Sequence, residues 1–487
     1  MFMELELAAF FVDLISFTTV LIVANWILRI LALFVVPRNR APTSGLAWLL
    51  VIMLVPTLGW VLFLVFGSPK LPKRRRAMQE NVDDLLKATD TDHAYRSVPD
   101  KYEQTRQLVE SLVHMPLSAI ERYKLIDDYD QAFHLMARDI DRAKESVNMS
   151  FFIMGLDDCT LPVIEALERA AERGVKVRVL YDAYFAFRYR KVFRPLKKRL
   201  GGTGTEMVAS LPIRLFGKHF TRPDLRNHRK LVMIDRHIGY TGSQNLIDKT
   251  YHRRDDIAYK ELVVRLTGHA VYHMEIVFAA DWYAETGESI YEKYKPVQHD
   301  KKKHRTMVHI LPSGPGYEDE NNLKVFTSLF YAAERSITIV NPYFVPDSAL
   351  VTALVSAARR GVSVTMINSE AVDQWMVAHA QRSYYEHLMQ AGVKIFWHKP
   401  PTLVHSKFII IDDEVATVGS SNMDMRSFLL SHELTLVAYD KSFANALAQV
   451  ANDYLKSSRQ LNPSQWHERA RWRQLLDNIA RLTSSLQ

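Results

Sequence analysis

The chain has 487 residues, a formal net charge of +8, a hydrophobic fraction of 48% and a single cysteine, Cys159. A single cysteine excludes an intrachain disulfide and a cysteine-based metal site, and it fits a reducing cytoplasmic compartment. The length is sufficient for two packed domains with additional segments. The positive charge is compatible with nucleic acid or with an anionic membrane, and apolar segments at the N-terminus favour the membrane.

Two apolar segments at the start of the chain predict membrane-spanning helices. Residues 46–67 form a 22-residue stretch without a charged side chain, which is long enough to cross a bilayer. A first span over about residues 10–36 contains Arg29. Its exact bounds are therefore open, and a charged side chain near one end extends to the membrane interface. A cleaved signal peptide is the competing interpretation, but Glu4 and Glu6 occupy the region where such peptides carry basic residues. Residues 1–69 are therefore predicted to form a transmembrane helical hairpin.

A basic and polar linker over residues 70–117 follows the second apolar segment. It opens with more basic residues than the loop between the two segments contains. The positive-inside bias then predicts a multi-pass membrane protein with both termini and the globular part in the cytoplasm. The residues compared are Lys70, Lys73, Arg74, Arg75 and Arg76 in the linker, and Arg38 and Arg40 in the loop.

The rest of the chain has two similar halves, residues 118–302 and 303–460. Each half reads as strand, helix, strand and a further buried strand, and each helix ends at a glycine that leads into a β-branched run. The predicted fold class is therefore α/β, with two tandem α/β/α sandwich domains. The clearest corresponding segments are Arg173-Gly174-Val175-Lys176-Val177 and Arg360-Gly361-Val362-Ser363-Val364.

A composite signature occurs once in each half at identical internal spacing. In the first half it comprises His228, Lys230, Asp235, Gly242, Ser243 and Asn245, and in the second half it comprises His405, Lys407, Asp412, Gly419, Ser420 and Asn422. Side chains alternate along a strand, so His-x-Lys presents the imidazole and the ammonium group to the same space. The two aspartates have the opposite parity, which indicates a role in the turn at the strand end. Gly-Ser-x-Asn offers a hydroxyl and a carboxamide that suit a phosphate oxygen.

Two copies of the signature supply both groups that a substitution at phosphorus requires, a nucleophile and a proton donor. One neutral histidine attacks phosphorus and forms a covalent phosphohistidine, while a protonated histidine gives its proton to the departing alkoxide. The roles reverse when the acceptor arrives. Lys230 and Lys407 stabilise the negative charge that develops on the equatorial oxygens, so this chemistry requires no metal ion or other cofactor.

Several other features leave two interpretations open. Residues 188–199 hold seven basic residues in twelve, with interleaved aromatic residues, and either bind an anionic lipid surface or form a solvated helix face. The tail over residues 461–487 is amphipathic and either lies at a membrane interface or packs on the globular part. The acidic pairs Asp157-Asp158 and Asp255-Asp256 are more typical of loops and strand ends than of a cation site.

The duplicated signature resembles that of the phospholipase D superfamily, residue by residue in both copies. More narrowly, nearly the whole chain is similar to the bacterial cardiolipin synthase family with two N-terminal membrane helices. The supporting segments are Asp224-Leu225-Arg226-Asn227-His228-Arg229-Lys230, Tyr240-Thr241-Gly242-Ser243, Ser313-Gly314-Pro315-Gly316, Asn341-Pro342-Tyr343-Phe344-Val345-Pro346 and Asn422-Met423-Asp424-Met425-Arg426-Ser427.

The resemblance implies a specific reaction and specific roles. It implies phosphatidyl transfer between two phosphatidylglycerol molecules in an anionic bilayer of the cytoplasmic membrane, giving cardiolipin and glycerol. It implies that His228 is the nucleophile and His405 the general acid and base, a choice that the near-identical motifs cannot make. It counts Asp235 and Asp412 with the catalytic residues, and it implies that Glu261 and Glu433 orient a histidine at the substrate site.

Other functions remain to be weighed against this one. A hydrolytic phospholipase D or phosphodiesterase with the same site would release phosphatidic acid. A membrane scaffold without catalysis is disfavoured because both signatures are intact. A nuclease, which the superfamily also contains, is disfavoured by the two apolar segments.

Overall fold

The computed structural model describes residues 2–38, 40, 42–67, 71, 98–213, 222–252, 256–290 and 306–484, with side chains from residue 18 onward. The chain divides into two compact units, Met1–Lys70 and Leu71–Gln487. Residues 72–97 of the predicted linker, Asp255 and the predicted domain boundary at residues 302 and 303 lie outside the described residues.

The N-terminal unit has three apolar helices, α1 (Phe2–Val35), α2 (Pro42–Leu54) and α3 (Pro56–Phe66). Within the described residues, one helix is long and apolar enough to be a candidate span, over Thr18–Val35 of α1. The prediction of a single helix over residues 46–67 was wrong, because the helix breaks between α2 and α3. Pro56 has no N–H to continue α2, and it disfavours the helical conformation at Val55, whose φ and ψ are −134° and 81°.

The first repeat contributes ten strands to the described residues, and seven of them form one mixed sheet. The ten strands are β1 (Ser118–Ile120), β2 (Arg122–Ile126), β3 (Ser146–Phe151), β4 (Lys176–Asp182), β5 (Glu206–Ser210), β6 (Arg226–Asn227), β7 (Leu231–Ile234), β8 (Ile238–Gly242), β9 (Ala258–Lys260) and β10 (Val263–Thr267). The sheet order is β2, β10, β8, β7, β3, β4, β5. Strands β3, β4 and β5 run parallel, and the other neighbours are antiparallel.

The second repeat uses the same order. Its strands are β11 (Thr306–Ser313), β12 (Ser336–Val340), β13 (Phe344–Val345), β14 (Ser363–Ser369), β15 (Lys394–His398), β16 (Thr402–Val404), β17 (Phe408–Ile411), β18 (Val415–Gly419), β19 (Met423–Asp424), β20 (Ser431–Ala438) and β21 (Ser458–Gln460). The sheet runs β1, β11, β20, β18, β17, β12, β14, β15, β21. Both signatures therefore lie beside a central strand, β7 or β17, and the prediction of a duplicated α/β fold is confirmed.

Helices cover the sheets. They are α4 (Glu103–Val113), α5 (Tyr129–Ile140), α6 (Leu161–Glu172), α7 (Ala183–Arg188), α8 (Arg190–Gly201), α9 (Ala270–Thr286), α10 (Asn321–Ala332), α11 (Ser348–Arg359), α12 (Trp375–Gln390), α13 (Met425–Leu429), α14 (Lys441–Lys456), α15 (Pro463–His467) and α16 (Arg471–Arg481). Helix α9 is buried along most of its length because it contacts strands of both sheets, including β5, β7 and β11. The two repeats thus share one compact unit, and β1 adds to the sheet of the second repeat.

The two segments that the sequence left open are both helical. Helix α8 contains most of residues 188–199 and buries Phe193, Leu196 and Leu200, so its basic residues line the outer side of a packed helix. Helix α16 packs on α12 through Asp477, whose carboxylate lies 2.6 Å from Nδ1 of His379. Its opposite face carries exposed apolar side chains. The amphipathic tail therefore combines packing on the globular unit with an exposed apolar face.

Candidate active site

The two signatures meet because the strand before each signature histidine pairs with a strand of the other repeat. Strand β6 pairs in parallel with the start of β20, and the N–H of His228 donates to the carbonyl of His432 at 2.9 Å. In the same way β9 pairs with β16, and the N–H of His405 donates to the carbonyl of Lys260 at 2.8 Å. The backbone of each repeat thus fixes the position of the histidine in the other.

A glutamate from the opposite repeat holds each histidine. Nδ1 of His228 lies 2.9 Å from both carboxylate oxygens of Glu433, and Nδ1 of His405 lies 2.7 Å from Oε1 of Glu261. Both carboxylates are fully buried. With Nδ1 bound to a carboxylate, Nε2 is the nitrogen left for chemistry. Glu261 and Glu433 therefore position histidines and are not presented to the substrate.

The pKa values of the histidines are both lowered, to different extents. Burial lowers the pKa of His228 well below its usual range, and the charges of Lys230 and Lys407 lower it further. Burial also lowers the pKa of His405, but the adjacent Glu261 opposes this effect. The pKa of Glu261 is itself lowered, because the attraction of His405 and Lys407 outweighs the effect of burial. Both histidines are thus biased toward the neutral form, and Glu261 partly offsets this bias at His405. Burial raises the pKa of Glu433 to about 8, so this carboxyl group offsets the bias at His228 less.

The signature lysines are buried in the same site. Lys230 Nζ donates to the carbonyl of His228 at 2.6 Å, and Lys407 Nζ makes the equivalent bond to His405. Burial lowers the pKa of Lys230 to about 7 and that of Lys407 to about 8. Two ammonium groups with little hydration are well suited to a phosphodiester, because the anion replaces the lost water and favours their charged form.

The signature serines have a structural role that the sequence did not predict. Ser243 Oγ accepts the N–H of Leu262 at 3.0 Å, and Ser420 Oγ accepts the N–H of Leu434 at 3.1 Å and donates to Glu433. Each serine thus ties the Gly-Ser turn to the residue that directly follows a histidine-positioning glutamate, Leu262 after Glu261 or Leu434 after Glu433. The prediction that these hydroxyls bind a phosphate oxygen stays a prediction, beside this structural role.

The side chains of the signature asparagines make longer or fewer hydrogen bonds than those of the serines. Asn245 Oδ1 accepts the N–H of Ile153 at 3.3 Å, and its amide nitrogen lies 3.4 Å from the hydroxyl of Tyr251. Asn422 Oδ1 is buried and, within the described part of the chain, has no hydrogen-bond partner. Asn422 therefore remains a candidate ligand for a phosphate or a hydroxyl group.

The signature aspartates lie at the other end of their strands. Asp235 accepts the N–H groups of residues 144, 145 and 146 at 2.8 to 3.0 Å, and Asp412 accepts those of residues 334, 335 and 336 at 2.7 to 3.0 Å. Each aspartate comes seven positions after its histidine, about 23 Å along an extended chain. The φ angles of Asp235 and Asp412 are +50° and +53°, as in a tight hairpin turn. Assigning them to the catalytic residues is therefore corrected.

We expect Asp412→Ala to destabilise the fold without abolishing the reaction. The substitution leaves three backbone N–H groups without their acceptor, which costs about 2 to 4 kcal/mol. Urea unfolding should show this loss, while turnover per folded molecule stays within about threefold. Asp235→Ala is the matched variant in the other repeat. A large loss of turnover at unchanged stability would return the aspartates to the catalytic set.

Aromatic rings, which the sequence did not single out as site residues, surround both histidines. Phe152 contacts His228 edge to face at 4.5 Å between ring centroids, and Tyr259 and Tyr343 contact His405 at 5.3 and 6.0 Å. The hydroxyls of both tyrosines donate to Asp373, that of Tyr259 at 2.9 Å. These rings cover part of the surface of the two histidines, which are both buried. Tyr343 belongs to a segment that supported the family resemblance, but Tyr259 and Asp373 had no sequence signal.

The acidic pair Asp157-Asp158 has ordinary structural surroundings, while Asp255 of the other pair lies outside the described residues. Asp157 accepts the N–H groups of Asp248 and Thr160 at 2.8 and 3.0 Å, so it fixes a loop. Within the described residues, no cluster of three or more histidine, cysteine, aspartate or glutamate side chains could hold a metal ion.

Comparisons with known proteins agree with this architecture. The family described as "Cardiolipin synthase, PLD-like domain" matches residues 136–282 and 326–455, and "Phospholipase_D-nuclease N-terminal" matches residues 27–68. The chain is 33% identical to Cardiolipin synthase A of Serratia proteamaculans (strain 568), over 94% of this chain and 95% of that protein. It is also 33% identical to Cardiolipin synthase A of Klebsiella pneumoniae (strain 342), over 95% and 98%. The crystal structure of phosphatidylserine synthase from Haemophilus influenzae Rd KW20 has a similar fold, with a TM-score of 0.62, 13% identity and coverage of 80% of this chain and 100% of its own.

Proposed function

This chain belongs to the cardiolipin synthase family, a group of phosphatidyltransferases of the phospholipase D superfamily, and we propose that it converts two phosphatidylglycerol molecules into cardiolipin and glycerol. The observation that carries the proposal is the reciprocal pairing of His228 with Glu433 and of His405 with Glu261. This pairing supports one site that contains both histidines, each held by a glutamate of the other repeat.

In the first half-reaction, Nε2 of His228 attacks the phosphorus of one phosphatidylglycerol. The bond between phosphorus and the glycerol oxygen breaks, and protonated His405 gives its Nε2 proton to that oxygen, so that neutral glycerol leaves. The phosphatidyl group stays on His228 as a phosphohistidine. Lys230, Lys407 and the carboxamide of Asn422 bind the phosphate oxygens as negative charge builds up on them.

In the second half-reaction, neutral His405 removes the proton from a glycerol hydroxyl of a second phosphatidylglycerol. The resulting oxygen attacks phosphorus, the bond to His228 breaks, and cardiolipin forms with both histidines returned to their initial protonation states. All steps are reversible. The aromatic rings around the histidines favour a lipid hydroxyl over water as the acceptor, because they limit the access of water to the intermediate.

The buried lysines lead us to expect a specific pH dependence. As pH rises through 7 to 8, Lys230 and Lys407 of the free enzyme lose their protons, so kcat/KM should decline in that interval. At saturating lipid the bound phosphate raises both lysine pKa values, so kcat should decline only at higher pH. Initial rates across a pH series at low and high phosphatidylglycerol concentration would show this. Coincident alkaline limbs for kcat and kcat/KM would contradict the role of the lysines.

We also propose that an anionic bilayer is the physical partner and that the globular unit faces the cytoplasm. The basic residues that follow Gly67 support this orientation. Helix α16 exposes Trp472, Leu475 and Ile479 to 51–59% of their surface. Arg471, Arg473 and Arg481 lie on the same helix, so apolar and basic side chains both fit the head-group region.

The role of α16 in membrane contact predicts a difference between assay systems. We expect a Trp472→Ser, Leu475→Ser double variant to lose activity several-fold in phosphatidylglycerol vesicles and to keep normal activity in mixed detergent micelles, where no bilayer has to be engaged. Asn478→Ser on the same helix is the control. Equal losses in vesicles and in micelles would indicate that the substitutions disturb the site instead.

Product analysis tests the proposed reaction. The purified protein is incubated with phosphatidylglycerol labelled in both the head group and the acyl chains, and products are identified by mass. We expect one glycerol for each cardiolipin. Phosphatidic acid as the main product would mean that water is the acceptor and that the protein is a hydrolase.

A further inference from the structure

Helices α2 and α3 fold back on each other as an antiparallel hairpin. A Cβ atom placed on Gly59 would lie 2.7 Å from Cα of Ile52, whereas residues seven apart in a continuous helix are about 10 Å apart along the axis. At the open end, Arg40 donates to the carbonyl of Gly67, and its guanidinium lies 4.7 Å from the centroid of Phe63. The chain therefore enters and leaves the hairpin at the same end.

The hairpin is too short to cross a bilayer. Its helices have 13 and 11 residues, about 20 and 16 Å in length, against a hydrocarbon core of about 30 Å. Apolar side chains cover its outer surface, so it matches acyl chains but reaches only about half of the membrane thickness. The exposed ones are Leu46, Leu50, Val51, Leu54, Val55, Leu58, Val61 and Leu64.

The tip of the hairpin explains the charged residue in α1. A helix that ends inside a membrane leaves carbonyl groups that water cannot reach. Arg29 Nε donates to the carbonyl of Met53 at 3.1 Å, in the last turn of α2, where a cation also complements the helix dipole. Trp60 Nε1 donates in turn to the carbonyl of Leu28 at 2.9 Å. Arg29 thus caps the tip from within α1, where the sequence suggested a side chain that reaches the membrane interface.

We propose that α2 and α3 form a re-entrant hairpin in the cytoplasmic leaflet, that Arg29 caps its tip, and that the crossing of the membrane within the described residues is made by α1. The apolar surface of the hairpin then contacts the acyl chains of one leaflet. The N-terminus consequently lies on the opposite side of the membrane from the globular unit, in contrast to the two-span prediction, which placed both termini in the cytoplasm.

The charges of the sequence agree with this topology. Glu4, Glu6 and Asp13 are the charged residues before Arg29, so the N-terminal side of α1 is acidic. All the basic residues that flank the hairpin then lie on one side, which satisfies the positive-inside bias better than two spans do. They are Arg38, Arg40, Lys70, Lys73, Arg74, Arg75 and Arg76.

Labelling of single cysteines in spheroplasts tests the topology. In a Cys159→Ser background, Met3→Cys and Thr43→Cys are exposed in turn to a membrane-impermeant maleimide, with Ser111→Cys on the globular unit as the interior control. We expect Met3→Cys to react in intact spheroplasts, and Thr43→Cys and Ser111→Cys to react only after permeabilisation. The opposite pattern for the first two, Thr43→Cys reactive from outside and Met3→Cys protected, would establish two spans and overturn the proposal. The labelling does not depend on lipid products, so a failure of the proposed topology can be distinguished from a failure of the proposed reaction.

The role of Arg29 is tested in the same background. Arg29→Leu removes the cap and should make Thr43→Cys at least partly reactive from outside, whereas Arg29→Lys, which keeps a cation and a donor, should preserve protection. The amount of protein in the membrane fraction controls for expression. Full protection of Thr43→Cys in the Arg29→Leu variant would show that Arg29 does not hold the tip.

Discussion

Replacing His405 by alanine should reduce cardiolipin formation by at least about 10³-fold, because a glycerol alkoxide is a poor leaving group without a proton donor. His228→Ala should reduce it at least as much, since no covalent intermediate can form. The two variants differ in which bond they can still break. Their behaviour toward a phosphatidyl ester of p-nitrophenol, which departs without a proton, separates the two roles.

With that ester, His405→Ala should release about one p-nitrophenolate per active site in a burst and then stall, because His228 still attacks but no base activates the acceptor. His228→Ala should give no burst. Lys230 and Lys407 remain in both variants, so binding of the anionic ester serves as the internal control. A burst in His228→Ala and none in His405→Ala would reverse the assignment, and appreciable cardiolipin formation in either would exclude the two-histidine mechanism.

The second large effect should come from replacing Glu261 or Glu433, and each replacement should impair the histidine of the other repeat. Glu433→Gln replaces the carboxyl group that orients His228, so the burst rate with the p-nitrophenyl ester should fall by up to about 10⁴-fold, the loss that a triad histidine shows when its orienting carboxylate is replaced. Glu261→Gln removes the carboxylate from His405, so the burst should remain near normal while cardiolipin formation falls by a similar factor.

Glu334→Gln provides the matched control, because this carboxylate lies in the second repeat and is 69% exposed. It should leave the burst and the turnover unchanged. If Glu433→Gln spared the burst and Glu261→Gln abolished it, each glutamate would serve the histidine of its own repeat, and the interlocked arrangement of β6 with β20 and of β9 with β16 would have no functional meaning.

The repeated architecture could be predicted because it depends on local patterns. The buried run after His-x-Lys and the Gly-Ser turn are read directly from apolar composition and from glycine. His-x-Lys itself was predicted to lie on a strand, but in both repeats it lies just before the strand. The structure places them beside the central strands β7 and β17. The turn role of Asp235 and Asp412 also followed from parity alone, although the family resemblance counted both as catalytic.

What could not be predicted depends on contacts between distant segments. The spacing places Glu261 and Glu433 similarly in their repeats, and only the packing of the repeats shows that each serves the other histidine. The same packing commits Ser243 and Ser420 to backbone groups, although their chemistry suits phosphate equally well.

The prediction of one helix over residues 46–67 was wrong for a different reason. Hydropathy over residues 46–67 measures composition, and Pro56 in that window is tolerated in many membrane helices. The fold-back becomes visible only in the close approach of Gly59 to Ile52 and in the bond from Arg29 to Met53. A single apolar window cannot report either contact.

The most direct test of the central claim is to locate the covalent intermediate in the unmodified protein. The enzyme is mixed with phosphatidylglycerol, quenched in alkali within one turnover, digested, and analysed by mass spectrometry for a phosphatidyl group on a peptide, or for the glycerophosphoryl group that remains when alkali hydrolyses the acyl esters. We predict the modification on the peptide that contains His228. Modification of the His405 peptide, or full activity with no adduct on either histidine, would contradict the account.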